Sequence, residues 1–181
     1  MKSAPLGGSD PRSGGAWGLR FSYDMLGDGA RTDEDALRYL KAYSDAIESI
    51  ATKAYSTGAT EQNDGISIKL SALHPRYEDA QSQRVMDELV PRVWGLCQQA
   101  AKANINLTID AEEVDRLELS LEVFESLLAL VAEHCPQWQG FGLAMQAYQT
   151  RALELIEHLI ALARRYRVRL MCRLVKGAYW D

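Results

Sequence analysis

Five short segments of alternating polarity recur along this chain, and a helical stripe lies in each of the four gaps between them. That order constrains the fold more than any other feature. A strand followed by an amphipathic helix and another strand makes a crossover, and crossovers of this length join parallel neighbours. The first segment, residues 19–25, sets Leu19, Phe21, Tyr23 and Met25 against Arg20, Ser22 and Asp24, and Gly27 ends it. The second, residues 65–73, sets Ile66, Ile68 and Leu70 against Ser67, Lys69 and Ser71. The third, residues 105–111, sets Ile105, Leu107 and Ile109 against Asn106, Thr108 and Asp110. The fourth, residues 141–148, sets Phe141, Leu143 and Met145 against Gly142, Ala144 and Gln146. In the fifth, residues 169–175, Met171, Arg173 and Val175 share one side and Leu170, Cys172 and Leu174 the other.

The helical stripes are equally explicit. Thr32 with Asp35 three residues on predicts an N-cap, and Leu37, Leu40, Tyr43, Ile47 and Ile50 make one face through about Ala51. Residues 55–64 are polar and contain Gly, which predicts a loop. His74-Pro75-Arg76-Tyr77 predicts a second loop, because the residue before a proline avoids helix. A helix over 82–102 carries Val85, Met86, Leu89, Val93, Leu96 and Cys97, with Pro91 expected to kink or divide it. Leu117, Leu121, Phe124, Leu128 and Val131 mark a third helix, and Leu153, Ile156, Leu159, Ile160 and Ala163 a fourth.

Two architectures satisfy this order, an open doubly wound sheet and a (β/α)8 barrel. A sheet covered on both faces favours strands that are apolar on both. The second, third and fourth strands here have one apolar face and one polar or small face, which suits a barrel whose centre meets a ligand. The fold expected is α/β of the (β/α)8 TIM-barrel type, here a partial barrel of about five parallel strands and four helices over residues 18–181. Residues 1–17, rich in Gly, Ser and Pro without an apolar core, are expected to be a disordered lead and not a signal peptide.

Charge and cysteine usage narrow the function class. Against 20 basic residues stand 25 acidic ones, a net charge of −5, which disfavours nucleic acid as a partner. Cys97, Cys135 and Cys172 show neither CxxC nor metal spacing, so they are expected to be small buried hydrophobes in a reducing compartment. No apolar run approaches the roughly 20 residues of a membrane helix, and a cytoplasmic location is expected. Nucleotide-binding GxGxxG and GxxxxGK[ST], the hydrolase GxSxG and the zinc motif HExxH are all absent from the sequence.

In a barrel, ligands bind at the C-terminal ends of the strands. Asp24, Lys69, Asp110, Gln146 and Arg173 fall near those ends. An unpaired buried Arg is expensive, so Arg173 needs an anionic or strongly accepting partner. A Lys, an Asp, an amide and an Arg together could hold a carboxylate substrate and the polar edge of a cofactor, although inward Lys–Asp or Arg–Asp pairs also occur as structural elements. Asp24 divides evenly between this set and a cap on the following loop. His74 reads as a loop anchor, and His134 and His158 as surface residues. The run Asp110, Glu112, Glu113 and Asp115 reads as one inward carboxylate followed by an acidic helix start, with no metal site.

Five ordered stretches carry a resemblance: FSYDMLG at 21–27, ISIKLSALHPRY at 66–77, IDAEE at 109–113, QAYQ at 146–149 and RLVKGAYWD at 173–181. Over residues 21–181 the chain resembles the first five strands of the proline dehydrogenase barrel, with its nearest likeness in bacterial bifunctional proline-utilisation flavoenzymes. The resemblance implies a distorted barrel that holds FAD without a Rossmann fold and oxidises L-proline to Δ1-pyrroline-5-carboxylate. Hydride would pass to flavin N5 and electrons onward to a membrane quinone. Asp110 and Arg173 match catalytic positions, Arg173 beside N5. Lys69 and Tyr179 match substrate positions, Lys69 at the proline carboxylate. Ile109 and Gln146 would line or hydrogen-bond the isoalloxazine, and Val175, Lys176, Gly177, Ala178 and Trp180 would contact FAD. The family pattern also requires strands six to eight and a final helix bearing an arginine pair, so the missing half of the barrel is an expected partner, with peripheral membrane association in a longer parent. The alternative expectation is a non-catalytic fragment, or a split half that needs a complementary chain.

Overall fold

The computed structural model describes residues 19–25 and 29–177. Nine elements alternate along it: β1 Ser22–Asp24, α1 Asp33–Ala51, β2 Gly65–Ile68, α2 Ser82–Lys102, β3 Asn106–Ile109, α3 Leu117–His134, β4 Phe141–Gln146, α4 Ala152–Tyr166 and β5 Met171–Val175. All strand pairs are parallel and the sheet order is β1-β2-β3-β4-β5. This is an α/β half-barrel with four helices, as the strand–helix order together with the one-sided polarity of the strands predicts. Each strand is joined to its neighbour by a helix, so the chain advances one strand at a time around the sheet.

The core lies between the sheet and the helices. Ile66, Ile68, Leu107, Ile109, Leu143 and Met145 point outward from the sheet and are buried under Tyr43 and Ile47 of α1, Leu89 and Val93 of α2, and Phe124 and Leu128 of α3. Phe124 and Phe141 stack with ring centroids 5.0 Å apart. Each such fully buried aliphatic or aromatic side chain contributes roughly 1.5–3 kcal/mol, which is what holds the layers together. At the head of α1 the predicted cap forms as a reciprocal pair: Asp35 N–H donates to Thr32 Oγ1 at 3.1 Å and Thr32 N–H to Asp35 Oδ2 at 3.1 Å. At the N-terminal end of the sheet, the Asn63 side-chain amide donates to the carbonyls of Tyr55 and Asn104 at 2.9 and 2.8 Å and accepts from Tyr55 N–H at 2.8 Å, binding two loops.

Several expectations change. The strands are shorter than the alternation suggests, because β2 stops at Ile68 and Leu70–Ala72 coils into a 3-10 turn. Lys69 N–H is taken by Tyr43 OH at 3.1 Å, which withdraws it from the sheet ladder. Pro91 does not divide α2, which runs unbroken from Ser82 to Lys102. Pro91 sits on the solvent side of the helix, where the backbone carbonyl it deprives of a partner can be hydrated. On α4 the buried stripe is Leu155, Leu159 and Leu162, while Leu153 is 69% exposed and Ile160 45%. Leu37 on α1 is also exposed. Only Cys97 is buried; Cys135 is half-buried and Cys172 exposed. Cys172 and Leu174 lie on the outer face of β5, where no helix among the described residues covers them, and Leu174 is 61% exposed. The N-terminal lead at 1–17 lies outside the described residues.

Candidate functional site

The inner face of the sheet carries the polar residues, and each stands where its strand's register puts it. Ser67 pairs with Thr108, and Ala144 with Arg173. Arg173 starts on β5 and reaches over the small Ala144 of β4. Its Nη2 donates to Asp110 Oδ1 just beyond β3, and its Nη1 donates to Ser67 Oγ on β2 at 2.6 Å. Ser67 Oγ in turn lies 3.2 Å from Ser22 Oγ on β1. One guanidinium thus ties together three strands of the half-barrel, and a hydroxyl carries the connection to a fourth.

Lys69, just beyond β2, is the second cation. Its Nζ is 2.8 Å from Asp24 Oδ1 and 3.5 Å from Asp110 Oδ2. Asp24 therefore joins the cluster through its ion pair with Lys69. Asp110 stands between two cations with its side chain only 12% exposed. Burial raises its pKa above the ordinary carboxylate value, against the opposing pull of Arg173 and then Lys69. Lys69 moves the other way in charge terms: burial disfavours its ammonium, but the hydrogen bond and charge of Asp24 leave its pKa above the ordinary lysine value. The Lys69 ammonium is thus favoured, and the shared Asp110 carboxylate is held at a desolvation cost.

The other residues named from the sequence divide into four groups. Gln146 is buried at the end of β4, and its Nε2 donates to the Glu112 carbonyl at 2.9 Å, so it stands beside the cluster. Val175 ends β5, with its carbonyl accepting from Ala147 N–H at 2.8 Å. Lys176 and Gly177 follow, exposed, and Gly177 has φ of +143° with Tyr148 against the place a Cβ would occupy. Ile109 is not brought into the polar face: its side chain is buried among the outward core residues, so it could meet a ligand at the inner face only through its main chain. Ala178, Tyr179 and Trp180 lie outside the described residues.

Three residues that the sequence reading passed over take part. Ser67 and Ala144 matter through their size and register. Glu112, grouped with an acidic helix start, is instead 7% exposed, and its carboxylate accepts from both Ser71 N–H, at 3.2 Å, and Ser71 Oγ–H. No sequence signal separates Glu112 from Glu113 beside it. His74 is the loop anchor expected: it is buried, and its Nδ1 accepts from Arg76 N–H at 3.1 Å. Among the described residues no group of His, Cys, Asp and Glu is arranged to hold a metal ion.

A polar inner face with two cations and one buried carboxylate can bind a small carboxylate-bearing molecule and fix its orientation. Comparison with known proteins supplies the context. The family model described as proline dehydrogenase matches residues 12–181. The chain is 51% identical over 164 residues to the bifunctional protein PutA of Escherichia coli strain K12, covering 91% of this chain and 12% of that protein. Against bifunctional PutA of Rhizobium meliloti it is 50% identical over 164 residues, covering 91% of this chain and 13% of that one. Among solved structures, a variant of Bradyrhizobium japonicum proline utilization A matches with a TM-score of 0.83 at 55% identity, over 90% of this chain and 16% of that one. A structure of proline utilization A with proline bound in remote sites matches at TM-score 0.84 and 53% identity, over 95% and 17% of the two chains. The chain thus spans about an eighth of the curated relatives' length.

Proposed function

Since the chain belongs to the proline dehydrogenase family, we propose that its inner face is the first half of a site that oxidises L-proline to Δ1-pyrroline-5-carboxylate. The observation that carries this reading is the convergence of Lys69 and Arg173 on Asp110 at the C-terminal ends of the strands. Lys69 would exchange part of its contact with Asp24 for the proline carboxylate, at an edge where Asp24 is exposed enough to yield. Tyr179 is proposed as its companion on the substrate.

The donor set also fits a flavin. Arg173 Nε is buried and has no hydrogen-bond partner among the described residues. A buried guanidinium N–H is a donor in want of an acceptor. Arg173, Gln146, Val175, Lys176 and Gly177, the Ile109 main chain, and Ala178 and Trp180 beyond the described residues are proposed to hold FAD. When bound, FAD would supply the hydride acceptor. The part of this chain is positional: Asp110 and Ser67 fix the Arg173 guanidinium from two sides, so its charge stands ready where negative charge develops, with little reorganisation. Asp110 acts by holding both cations in register. A membrane quinone is proposed as the final electron acceptor, which places the protein in the cytoplasm or against the inner membrane face; no helix among the described residues is long and apolar enough to cross a membrane. Residues 18–181 are proposed as the partial barrel and 1–17 as its lead.

A second reading rests on the open sheet. Among the described residues β1 and β5 each pair on one side only, and Phe21, Tyr23 and Leu174 are exposed there. The chain alone would then be a non-catalytic half that completes its site with further strands, from the same polypeptide or a complementary one. Reconstitution with FAD followed by anaerobic addition of L-proline separates the two. Bound flavin that bleaches in the 181-residue chain supports a self-sufficient site. Flavin that binds and bleaches only in the longer polypeptide supports the second reading. Flavin that proline never bleaches in either refutes proline oxidation.

A further inference from the structure

Ser71 and Glu112 join the loops that follow β1, β2 and β3 to the end of β4. After β1, Ala30 N–H donates to the Ser71 carbonyl at 2.9 Å. After β2, Ser71 gives both its N–H, at 3.2 Å, and its Oγ–H to the two carboxylate oxygens of Glu112. Glu112 itself follows β3. At the end of β4, Gln146 Nε2 donates to the Glu112 carbonyl at 2.9 Å. The result is a continuous belt, Ala30–Ser71–Glu112–Gln146, across the rim that carries the site.

Two details mark Glu112 as more than a solvated acid. It is 7% exposed, and among the described residues no Lys, Arg or His forms an ion pair with it. Burial raises its pKa, while the two bonds from Ser71 and then the more distant charge of Arg116 oppose that rise and Glu113 adds to it. A carboxylate kept there at a desolvation cost needs a return. Its return is geometric: two acceptor oxygens meet two donors of a single residue, so Ser71 is held in position as well as in distance. Ser71 lies two residues beyond Lys69, and Glu112 lies two beyond Asp110.

We propose that Glu112 is a positioning residue of the proline-oxidising site, its carboxylate locking the Lys69 turn and its carbonyl locking the Gln146 amide, so that one residue sets the separation of the substrate-binding and cofactor-binding groups. This rests on the proposed function above. In that role Glu112 would act through its contacts with Ser71 and Gln146 and not by touching the reacting groups.

The test compares Glu112→Ala, Glu112→Gln and Ser71→Ala in the full-length flavin-loaded polypeptide. Glutamine can accept from Ser71 N–H and donate to Ser71 Oγ, so it keeps the geometry and drops the charge. Glu112→Ala is expected to speed amide exchange at Ser71, to shift the visible flavin absorption band, and to slow anaerobic flavin reduction by L-proline about 10- to 100-fold, the range expected when reacting groups are displaced by about 1 Å. Glu112→Gln is expected to stay within about 3-fold of the parent, and Ser71→Ala to fall between them. Ser71→Ala retains the N–H bond and serves as the readout if Glu112→Ala does not fold. Faster exchange with unchanged flavin reduction would make the belt structural only and overturn the proposal. A Glu112→Gln variant as slow as Glu112→Ala would overturn it too, by showing that charge and not geometry matters. Failure of the unsubstituted polypeptide to reduce flavin with proline would instead count against the proposed function, and amide exchange would still report on the belt.

Discussion

Replacing Arg173 by Met separates the catalytic role proposed for the central ion pair from its structural one. Met is unbranched and about as long as the aliphatic stem of Arg, so the stem's packing over Ala144 is largely kept while the guanidinium bonds to Asp110 and Ser67 are lost. A hydrogen bond to a charged group contributes about 1.5–3 kcal/mol. Arg173 is 37% exposed, and Lys69 remains 3.5 Å from the abandoned carboxylate. Solvent screening and that second cation reduce the loss to about 1–2 kcal/mol of stability. The effect on chemistry should be larger, because removing a preorganised charge from a reacting centre typically costs about 10²–10³-fold in rate. Anaerobic stopped-flow reduction of bound flavin by L-proline, beside a denaturant titration, measures both. A rate unchanged within about 3-fold while stability falls would refute the catalytic assignment and leave Arg173 as a strut.

The same variant has a pH signature. Asp110 has a raised pKa in the fold, from burial first, with Arg173 the largest opposing influence. In the window between the ordinary carboxylate value and the raised one, the folded state binds more protons than the unfolded state. Stability contributed through Asp110 therefore falls as pH rises through that window and is flat above it. Arg173→Met removes a lowering influence, so the window should extend to higher pH; Asp110→Asn should abolish it. A double-mutant cycle on the pair should give a coupling of about 1–3 kcal/mol, and strict additivity would show that the pair does not act as a unit.

Lys69→Ala should raise KM for proline about 10- to 100-fold, the equivalent of one charged hydrogen bond, with a much smaller change in kcat; steady-state kinetics showing an unchanged KM would remove Lys69 from the substrate site. Gly142→Ala should separate β5 from β4, since a Cβ there would lie 1.7 Å from the Met171 carbonyl oxygen. The expected cost is about 3 kcal/mol or more, read as accelerated amide exchange over residues 171–175, and an unaltered denaturant midpoint would contradict it. His74 should make the protein acid-sensitive: burial lowers its pKa despite Glu88, with Arg92 and Arg84 also lowering it. Stability is then fully present above the ordinary histidine value and is lost as pH falls from there toward the lowered value. His74→Asn, whose amide oxygen can replace Nδ1 as acceptor for Arg76 N–H, should flatten that acid limb; an unchanged slope would place the acid sensitivity elsewhere.

Much of this architecture was legible because it depends on local pattern. The bounds of α2, the cap at Thr32 and the parallel order of five strands all follow from periodicities and capping chemistry that act within a few residues. The misread features depend on what lies across space. On α4, Leu153 and Ile160 form as good a stripe with Ile156 as Leu155, Leu159 and Leu162 do by themselves, and docking on the sheet selects the second. β2 ends early because a hydroxyl on α1 captures the Lys69 N–H, and nothing in residues 65–73 encodes that donor's partner.

The site shows the same division at higher resolution. That Lys69, Asp110 and Arg173 share the inner face follows from strand alternation, and alternation also places Ile109 on the other side. That they touch does not follow from alternation, because contact requires the intervening strand to be thin. Ala144 stands opposite Arg173 in register on β4, and only a small side chain there leaves the guanidinium a path to Asp110 and Ser67. A residue of no chemical interest thus decides whether the charged ones form a cluster. Glu112 extends the argument to the rim. Its identity as an acid is plain in the sequence, but its role comes from facing Ser71 and Gln146, which are 41 and 34 residues away. Chemistry-bearing residue types can be read along a chain; the spacers and clamps that bring them to working distance become visible only when the strands are laid side by side.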